Sequence, residues 1–139
     1  MSTTQKKEGF SAEEKAAMRA RAKELKAAAD GEEAVAESLK KMAPADRAIG
    51  KRVHELVKEA APQLTPKTWY GMPAYANPAG KVVLYFRDAG KFKERYSMLG
   101  FNEAANLDQG TMWPIAYALP TLEKADEAKI RTLVKKAAS

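Results

Sequence analysis

Aromatic residues fall almost entirely in one section of the chain, and this distribution constrains the fold most. All but Phe10 lie between Trp69 and Tyr117. Residues 1–61 are dominated instead by alanine, lysine and glutamate, which favour helices. Glycines recur about ten residues apart through the aromatic section, at 71, 80, 90, 100 and 110, which is the spacing of turns between short antiparallel strands. The sequence therefore predicts an α+β fold with helices first, then an antiparallel sheet, then a last helix.

The N-terminal part carries signals for two helices. Ser11 and Glu14 form a capping box, which predicts a helix over residues 12–29 that ends at Asp30-Gly31. A shorter helix is predicted over 32–42, stopped by Pro44. Because the apolar content of the first helix is weak, we expect it to be a loosely attached surface helix. The predicted organisation is a disordered tail (1–10), an N-terminal helical extension (11–43) and a single α+β domain (44–139).

Two helices within that domain carry clear apolar stripes. The helix predicted over 45–61 repeats apolar residues at the 3.6 period and ends at Pro62. Its stripe is Ile49, Val53, Leu56, Val57 and Ala60. The last helix is predicted to open with Asp126-Glu127 and to close with Lys135-Lys136, charges that suit the helix dipole. Its stripe is Ile130, Leu133, Val134 and Ala137.

Short strands are predicted between these helices, near residues 68–70, 73–76, 81–87, 91–99 and 113–119. Asp88-Ala89-Gly90 resembles a three-residue hairpin loop with glycine at the left-handed position. That loop predicts that Phe86 pairs with Phe92 and that Leu84 pairs with Glu94. Glu94 would then lie among aromatic side chains, either pairing with a cation at the sheet edge or lining a cleft.

Composition excludes more functions than it suggests. The net charge of +6, from 24 Lys+Arg against 18 Asp+Glu, is spread along the chain without a basic block or an acidic tail. The absence of cysteine excludes disulfides, thiolate metal sites and cysteine nucleophiles. No apolar stretch approaches the ~20 residues needed to cross a bilayer. We therefore expect a cytoplasmic protein that does not engage membranes.

Motifs of the common enzyme classes are missing from the sequence. It has no phosphate-binding glycine loop, no nucleophile elbow and no zinc-ligand spacing. Its single histidine, His54, lies at the boundary of the apolar stripe of the 45–61 helix. We expect it to be either a structural residue or a pH-sensitive or ligand-contacting group. We therefore expect a small non-enzymatic binding module. The alternative, a small-molecule enzyme, would need a deep pocket that contains Glu94 and a partner base.

A series of short motifs extends from Phe10-Ser11 to the last helix: Trp69-Tyr70-Gly71-Met72-Pro73-Ala74-Tyr75, Gly80-Lys81, Lys91-Phe92-Lys93, Leu99-Gly100-Phe101, Leu107-Asp108, Met112-Trp113-Pro114 and Asp126-Glu127-Ala128-Lys129-Ile130. Over about residues 10–138 the chain resembles, in these motifs, the YdhG-like domain-of-unknown-function family (DUF 1801). This resemblance implies helices packed on one face of a curved antiparallel sheet. Some members resemble frataxin and are described as iron chaperones, so the resemblance also implies iron binding or delivery.

Three glutamates are the candidate iron ligands. Glu55 and Glu59 lie one helical turn apart, where a cation that prefers oxygen ligands would reduce their repulsion. Lys51 and Lys58 would reduce that repulsion equally well. Glu94 is the third candidate. The sequence departs from a frataxin-like acidic ridge, because residues 11–30 are net basic and residues 45–61 are mixed.

A basic strand face predicts an alternative function in the binding of an anion or a nucleic acid. Between residues 81 and 97, alternation places cations around a tyrosine on one face. These candidate anion-binding residues are Lys81, Tyr85, Arg87, Lys93 and Arg95. The same pattern is typical of the solvated side of a half-buried sheet.

A second group of side chains predicts a cleft for an apolar or aromatic ligand. Its residues are Trp69, Tyr70, Met72, Tyr75, Tyr96 and Trp113. Core packing beside the Gly71-Met72-Pro73 turn is the other explanation for so many aromatic residues.

Overall fold

The computed structural model describes residues 10–139, so the predicted tail lies outside the described residues apart from Phe10. Four helices occur in this part of the chain: α1 (Ala12–Lys40), α2 (Pro44–Ala60), α3 (Ala89–Phe92) and α4 (Lys124–Ala137). The strands are β1 (Thr65–Trp69), β2 (Met72–Ala76), β3 (Val82–Arg87), β4 (Ser97–Phe101) and β5 (Ala116–Leu119). They form one open antiparallel sheet in chain order. The predicted α+β fold with an N-terminal helix is confirmed.

The N-terminal region is one continuous helix, so the predicted break at Asp30-Gly31 is wrong. The capping box at Ser11 and Glu14 is present and starts α1. Gly31 lies inside the helix, where a Cβ atom would come within 1.8 Å of the Pro66 carbonyl oxygen. The missing side chain therefore allows α1 to pass directly against β1, and this packing offsets the low helix propensity of glycine.

The two halves of α1 have different surroundings. Residues 11–27 are exposed on every side, whereas Gly31, Val35 and Leu39 are buried. Val35 and Leu39 belong to the same hydrophobic core as the residues of α2, the sheet and α4. The C-terminal half of the predicted extension therefore packs as part of the domain.

The core lies between one face of the sheet and the helices. Alternating strand residues face it, together with the apolar stripes of α2 and α4. The largest contributors from the sheet are Tyr75, Leu84, Phe86, Leu99 and Phe101. The helices contribute Val53, Leu56, Val57, Ile130 and Val134. No helix among residues 10–139 is long and apolar enough to span a membrane.

The predicted hairpin at residues 88–90 is wrong, and so is its register. Asp88 instead caps the short helix α3, accepting a hydrogen bond from the Lys91 amide at 3.2 Å. Asp46 of α2 accepts a hydrogen bond from the Gly90 amide at 2.9 Å, which holds α3 against the core. The next strand therefore begins only at Ser97, and Phe86 pairs with Leu99 instead of Phe92.

Candidate functional site

Three aromatic side chains form a continuous row on the sheet face opposite the core. Leu84 and Phe86 face the core, so Tyr85 projects from the other side of β3. The ring centroids of Trp69 and Tyr85 lie 5.2 Å apart, and those of Trp69 and Tyr70 lie 4.9 Å apart. We call Tyr70, Trp69 and Tyr85 the aromatic ladder.

Tyr70 occupies a backbone position that disfavours a large side chain. Tyr70 and Gly71 form the two-residue turn between β1 and β2, with φ angles of 51° and 77°. A residue other than glycine pays about 1–2 kcal/mol in this left-handed region. The Tyr70 side chain is nevertheless 79 % exposed. A strained turn that presents a large ring to solvent is the kind of local conflict found at functional sites.

The sheet face beside the ladder includes three small residues, Gly100, Ala116 and Ala118. A Cβ atom at Gly100 would come within 2.2 Å of the Tyr85 ring, so that ring lies directly against the backbone of β4. Gly100 pairs with Ala116, and Met98 pairs with Ala118. Ala116 and Ala118 are exposed. The ladder is therefore continuous with an open surface that a planar group can approach.

Cationic side chains surround the ladder. Lys67 is exposed and shares this sheet face, since it alternates with Pro66 and Thr68 along β1. Lys91 donates a hydrogen bond from Nζ to the Tyr70 carbonyl oxygen at 3.3 Å. Arg87 also projects from this face of β3, where its Nε donates to Glu94 at 2.7 Å. Glu94 thus neutralises one of these three cations.

The predicted anion-binding residues lie on several elements. Tyr85 and Arg87 share the ladder face, as predicted for a strand, and the Arg87 guanidinium lies 3.9 Å from the centroid of the Phe92 ring. Lys93 and Arg95 lie in the segment between α3 and β4 instead of on a strand. They therefore do not continue the strand face of Tyr85, because the chain forms α3 where a strand was predicted. Lys81 precedes β3 and is exposed.

The predicted aromatic cleft is only partly assembled. Trp69, Tyr70 and Met72 adjoin the β1–β2 turn, but Met72 is buried. Tyr75 is 1 % exposed and faces the core on the opposite side of the sheet. The two remaining members, Tyr96 and Trp113, are half-buried in the segments that precede β4 and β5.

The candidate iron ligands are not brought together. Each accepts a hydrogen bond from a different arginine: Glu55 from Arg52 at 2.9 Å, Glu59 from Arg131 at 2.9 Å and Glu94 from Arg87 at 2.7 Å. Within the described part of the chain, no group of three or more histidine, cysteine, aspartate or glutamate side chains is placed to hold a metal ion. The geometry therefore does not unite these glutamates in one site.

His54 belongs to a polar network that joins α1, α2 and β2. Its Nδ1 lies 2.8 Å from the Tyr75 hydroxyl, and its Nε2 lies 2.7 Å from Glu32 Oε1. Lys58 Nζ lies 2.7 Å from the other oxygen of Glu32. Sequence reasoning placed His54 at a boundary but missed its partners, because they are distant in the chain.

The electrostatics of this network are consistent with a structural role. Burial raises the pKa of the Tyr75 hydroxyl far above its ordinary value, and the charge of Glu32 adds to this shift. Partial burial works to raise the pKa of Glu32, but hydrogen bonds from Lys58 and His54 outweigh it and lower that pKa. Tyr75, His54 and Glu32 thus form one chain of hydrogen-bonding contacts, in which each ring nitrogen of His54 has a partner. The buried Tyr75 hydroxyl is not available to a ligand.

No protein-family model, no curated protein and no solved structure gives a match to this chain. The resemblance to the YdhG-like family therefore stays a prediction.

Proposed function

We propose that this protein is a non-enzymatic binding module for single-stranded nucleic acid and that the aromatic ladder is its binding surface. The observation that carries the proposal is the row of Tyr70, Trp69 and Tyr85 on an open sheet face, with ring centroids 4.9 and 5.2 Å apart. Unpaired bases stack on aromatic side chains regardless of sequence, because every base has a flat π-surface. The exposed Tyr70 ring offers the first such surface.

The surrounding charge fits the same ligand. Lys67, Arg87 and Lys91 lie on or next to the ladder, and Glu94 is paired with Arg87. The phosphates of a strand stacked on the rings would meet a net positive surface. Each phosphate contact contributes about 0.7 to the slope of log affinity against log salt concentration for a single strand. Binding should therefore weaken as salt increases.

The family resemblance implies iron as the ligand, but the aromatic ladder favours a single-stranded nucleic acid. Iron needs converging oxygen or nitrogen ligands, whereas Glu55 and Glu59 are each engaged by an arginine. A planar ligand needs exposed rings, and Tyr70 provides one at an energetic cost in its own backbone.

The proposal is tested by fluorescence anisotropy with a labelled deoxythymidine oligonucleotide of about eight nucleotides. The full chain is titrated at several salt concentrations, beside a Lys67→Ala variant. We expect Lys67→Ala to bind more weakly and to lower the salt slope by about 0.7.

The matched control is Lys135→Ala, which removes the same charge from an exposed position on α4. It should leave both the affinity and the salt slope close to those of the unmodified chain. Equal effects of the two substitutions would show attraction by net charge alone. That result, or an absence of binding at low salt, would contradict the proposal.

A further inference from the structure

A cavity of about 760 Å³ lies at the end of the aromatic ladder, on the other side of the Tyr70-Gly71 turn. It is bounded by the end of α1, the linker to α2, the turn and α3. The polar side chains that line it include Ser38, Lys41, Thr68, Asp88 and Lys91. Its size is within the range of pockets that hold small molecules.

Two hydrogen bonds fix the turn at the mouth of this cavity. Ser38 Oγ donates to the Gly71 carbonyl at 2.8 Å, and Lys91 Nζ donates to the Tyr70 carbonyl at 3.3 Å. The ammonium of Lys91 also occupies the space beside Gly71, since a Cβ atom there would come within 2.2 Å of Nζ. Lys91 therefore contacts the same turn that carries the exposed ring of Tyr70.

Asp88 is a buried carboxylate in the wall of the cavity. It is only 3 % exposed, and its Oδ2 accepts from the Lys91 amide. Among the described residues, Oδ1 of Asp88 accepts no hydrogen bond. Every fully buried side-chain oxygen in this part of the chain has a hydrogen-bond partner, so Oδ1 is not fully buried. Oδ1 therefore keeps some access to solvent, and Asp88 is one of the residues that line the cavity.

The cavity thus combines two kinds of recognition. Lys41 and Lys91 suit an anionic group, and Asp88 suits an N–H donor. Glu37 also lines the cavity, but it pairs with Lys40 at 3.2 Å. A nucleotide with a phosphate at one end and N–H groups on its base matches this combination.

We propose that the cavity binds the phosphorylated terminal nucleotide of a strand whose other bases stack on the aromatic ladder. The choice of ligand rests on the proposed function. The phosphate interacts with Lys41 and Lys91, and an N–H group of the base donates to Asp88. The turn at Tyr70-Gly71 separates the two parts of this site.

The test compares cytidine 5′-monophosphate with cytidine by amide NMR on the full chain. The phosphorylated compound should shift the amides of Ser38, Lys41 and Gly71, and cytidine should bind about tenfold more weakly, because charge-assisted hydrogen bonds to the phosphate are lost. Lys41→Ala should remove this preference for the phosphate. Lys135→Ala, which removes the same charge from an exposed position on α4 outside the cavity lining, should retain it.

Asp88→Asn tests the base contact separately. Asparagine still caps α3 through its side-chain oxygen, so the variant should remain folded. It should bind both compounds more weakly and keep their ratio. Unchanged binding by this variant would overturn the assignment of Asp88.

The outcomes separate this proposal from the proposed function. Equal affinity for the two compounds, or equal loss in Lys135→Ala and Lys41→Ala, would overturn the cavity assignment even if oligonucleotides bind the ladder. Binding of the monophosphate in the cavity without any strand binding would support a nucleotide site in the cavity, but it would overturn both the proposed function and the assignment of that nucleotide to the end of a strand. An oligonucleotide that gains affinity from a terminal phosphate would support both.

Discussion

Tyr70→Asn should make the protein more stable and at the same time weaken its binding to single strands. Tyr70 has a φ angle of 51° in a two-residue turn before Gly71. Asn-Gly is the preferred sequence for such a turn, because asparagine tolerates the left-handed region. The substitution therefore removes backbone strain from the fold and a ring from the aromatic ladder.

The expected stability change follows from two opposing contributions. Relief of strain should stabilise the fold by about 1–2 kcal/mol. An aromatic pair contributes about 0.5–1.5 kcal/mol, and the loss of the edge contact with Trp69, whose ring centroid lies 4.9 Å away, falls at the low end because the Tyr70 ring is 79 % exposed. With a loss of about 0.5 kcal/mol, the net gain is about 0.5–1.5 kcal/mol, which corresponds to a rise in Tm of about 2–6 °C for a domain of this size.

Binding should change in the opposite direction. Removing a ring on which a base stacks costs about 1–3 kcal/mol, so affinity for the labelled oligonucleotide should fall about fivefold or more. Thermal unfolding by circular dichroism and fluorescence anisotropy measure the two effects. Tyr70→Phe is the control, because it retains both the ring and the strain and should change neither quantity appreciably. A Tyr70→Asn variant that binds normally would refute the assignment of Tyr70 to the binding surface, and one with a lower Tm would refute the strain argument.

Two further predictions concern the packing of α1. Gly31→Ala should lower the free energy of unfolding, measured by denaturant titration, by about 1–3 kcal/mol, because the added Cβ atom would meet the Pro66 carbonyl oxygen. At an exposed helix position the same substitution stabilises a protein, so a more stable variant would contradict the close contact. In the folded state, Lys58 and His54 lower the pKa of Glu32. The ionised Glu32 carboxylate therefore stabilises the fold at pH values above its unfolded pKa, and this contribution is lost as pH falls through the folded pKa. Glu32→Gln should therefore have a lower Tm than the unmodified chain at pH 7, and the two Tm values should converge near pH 3. A difference in Tm that stays constant with pH would contradict this linkage.

Local signals predict the helices where local interactions decide them. The capping box at Ser11 and Glu14 and the stop at Pro62 depend on residues a few positions apart. α1 begins directly after Ser11, and α2 ends at Ala60, close to Pro62. Gly31 also carries a local signal for a helix end. It is overridden because the contact with Pro66, distant in the chain, needs a residue without a side chain.

The hairpin prediction fails for the same reason. Asp88-Ala89-Gly90 satisfies the rules for a short turn, but Asp46 in α2 accepts a hydrogen bond from Gly90 and Asp88 caps α3. A side chain more than forty positions away cannot be found from the turn sequence alone. The chain therefore forms α3 where local pairing rules predict a strand.

The candidate site is predictable only in its parts. Sequence patterns single out Trp69 and Tyr70 as members of a ligand cleft and Tyr85 as part of a basic strand face. Their contact depends on the register of β1, β2 and β3, where Lys67, Ala74 and Tyr85 lie side by side. The hairpin loop concerns only β3 and the strand after it, and the sequence predicts no register for β1, β2 and β3. The two groups of residues could therefore not be joined from the sequence.

The most direct test of the aromatic ladder is an NMR titration that follows the two tryptophan side chains. The chain contains two tryptophans, Trp69 in the ladder and Trp113 packed against the core. Their indole N–H signals are assigned with a Trp113→Phe variant. An unlabelled single strand should shift or broaden the Trp69 indole signal and the amides of Ala116 and Ala118, with little effect on Trp113. A Trp69 signal that stays unchanged at saturating oligonucleotide would contradict the proposal.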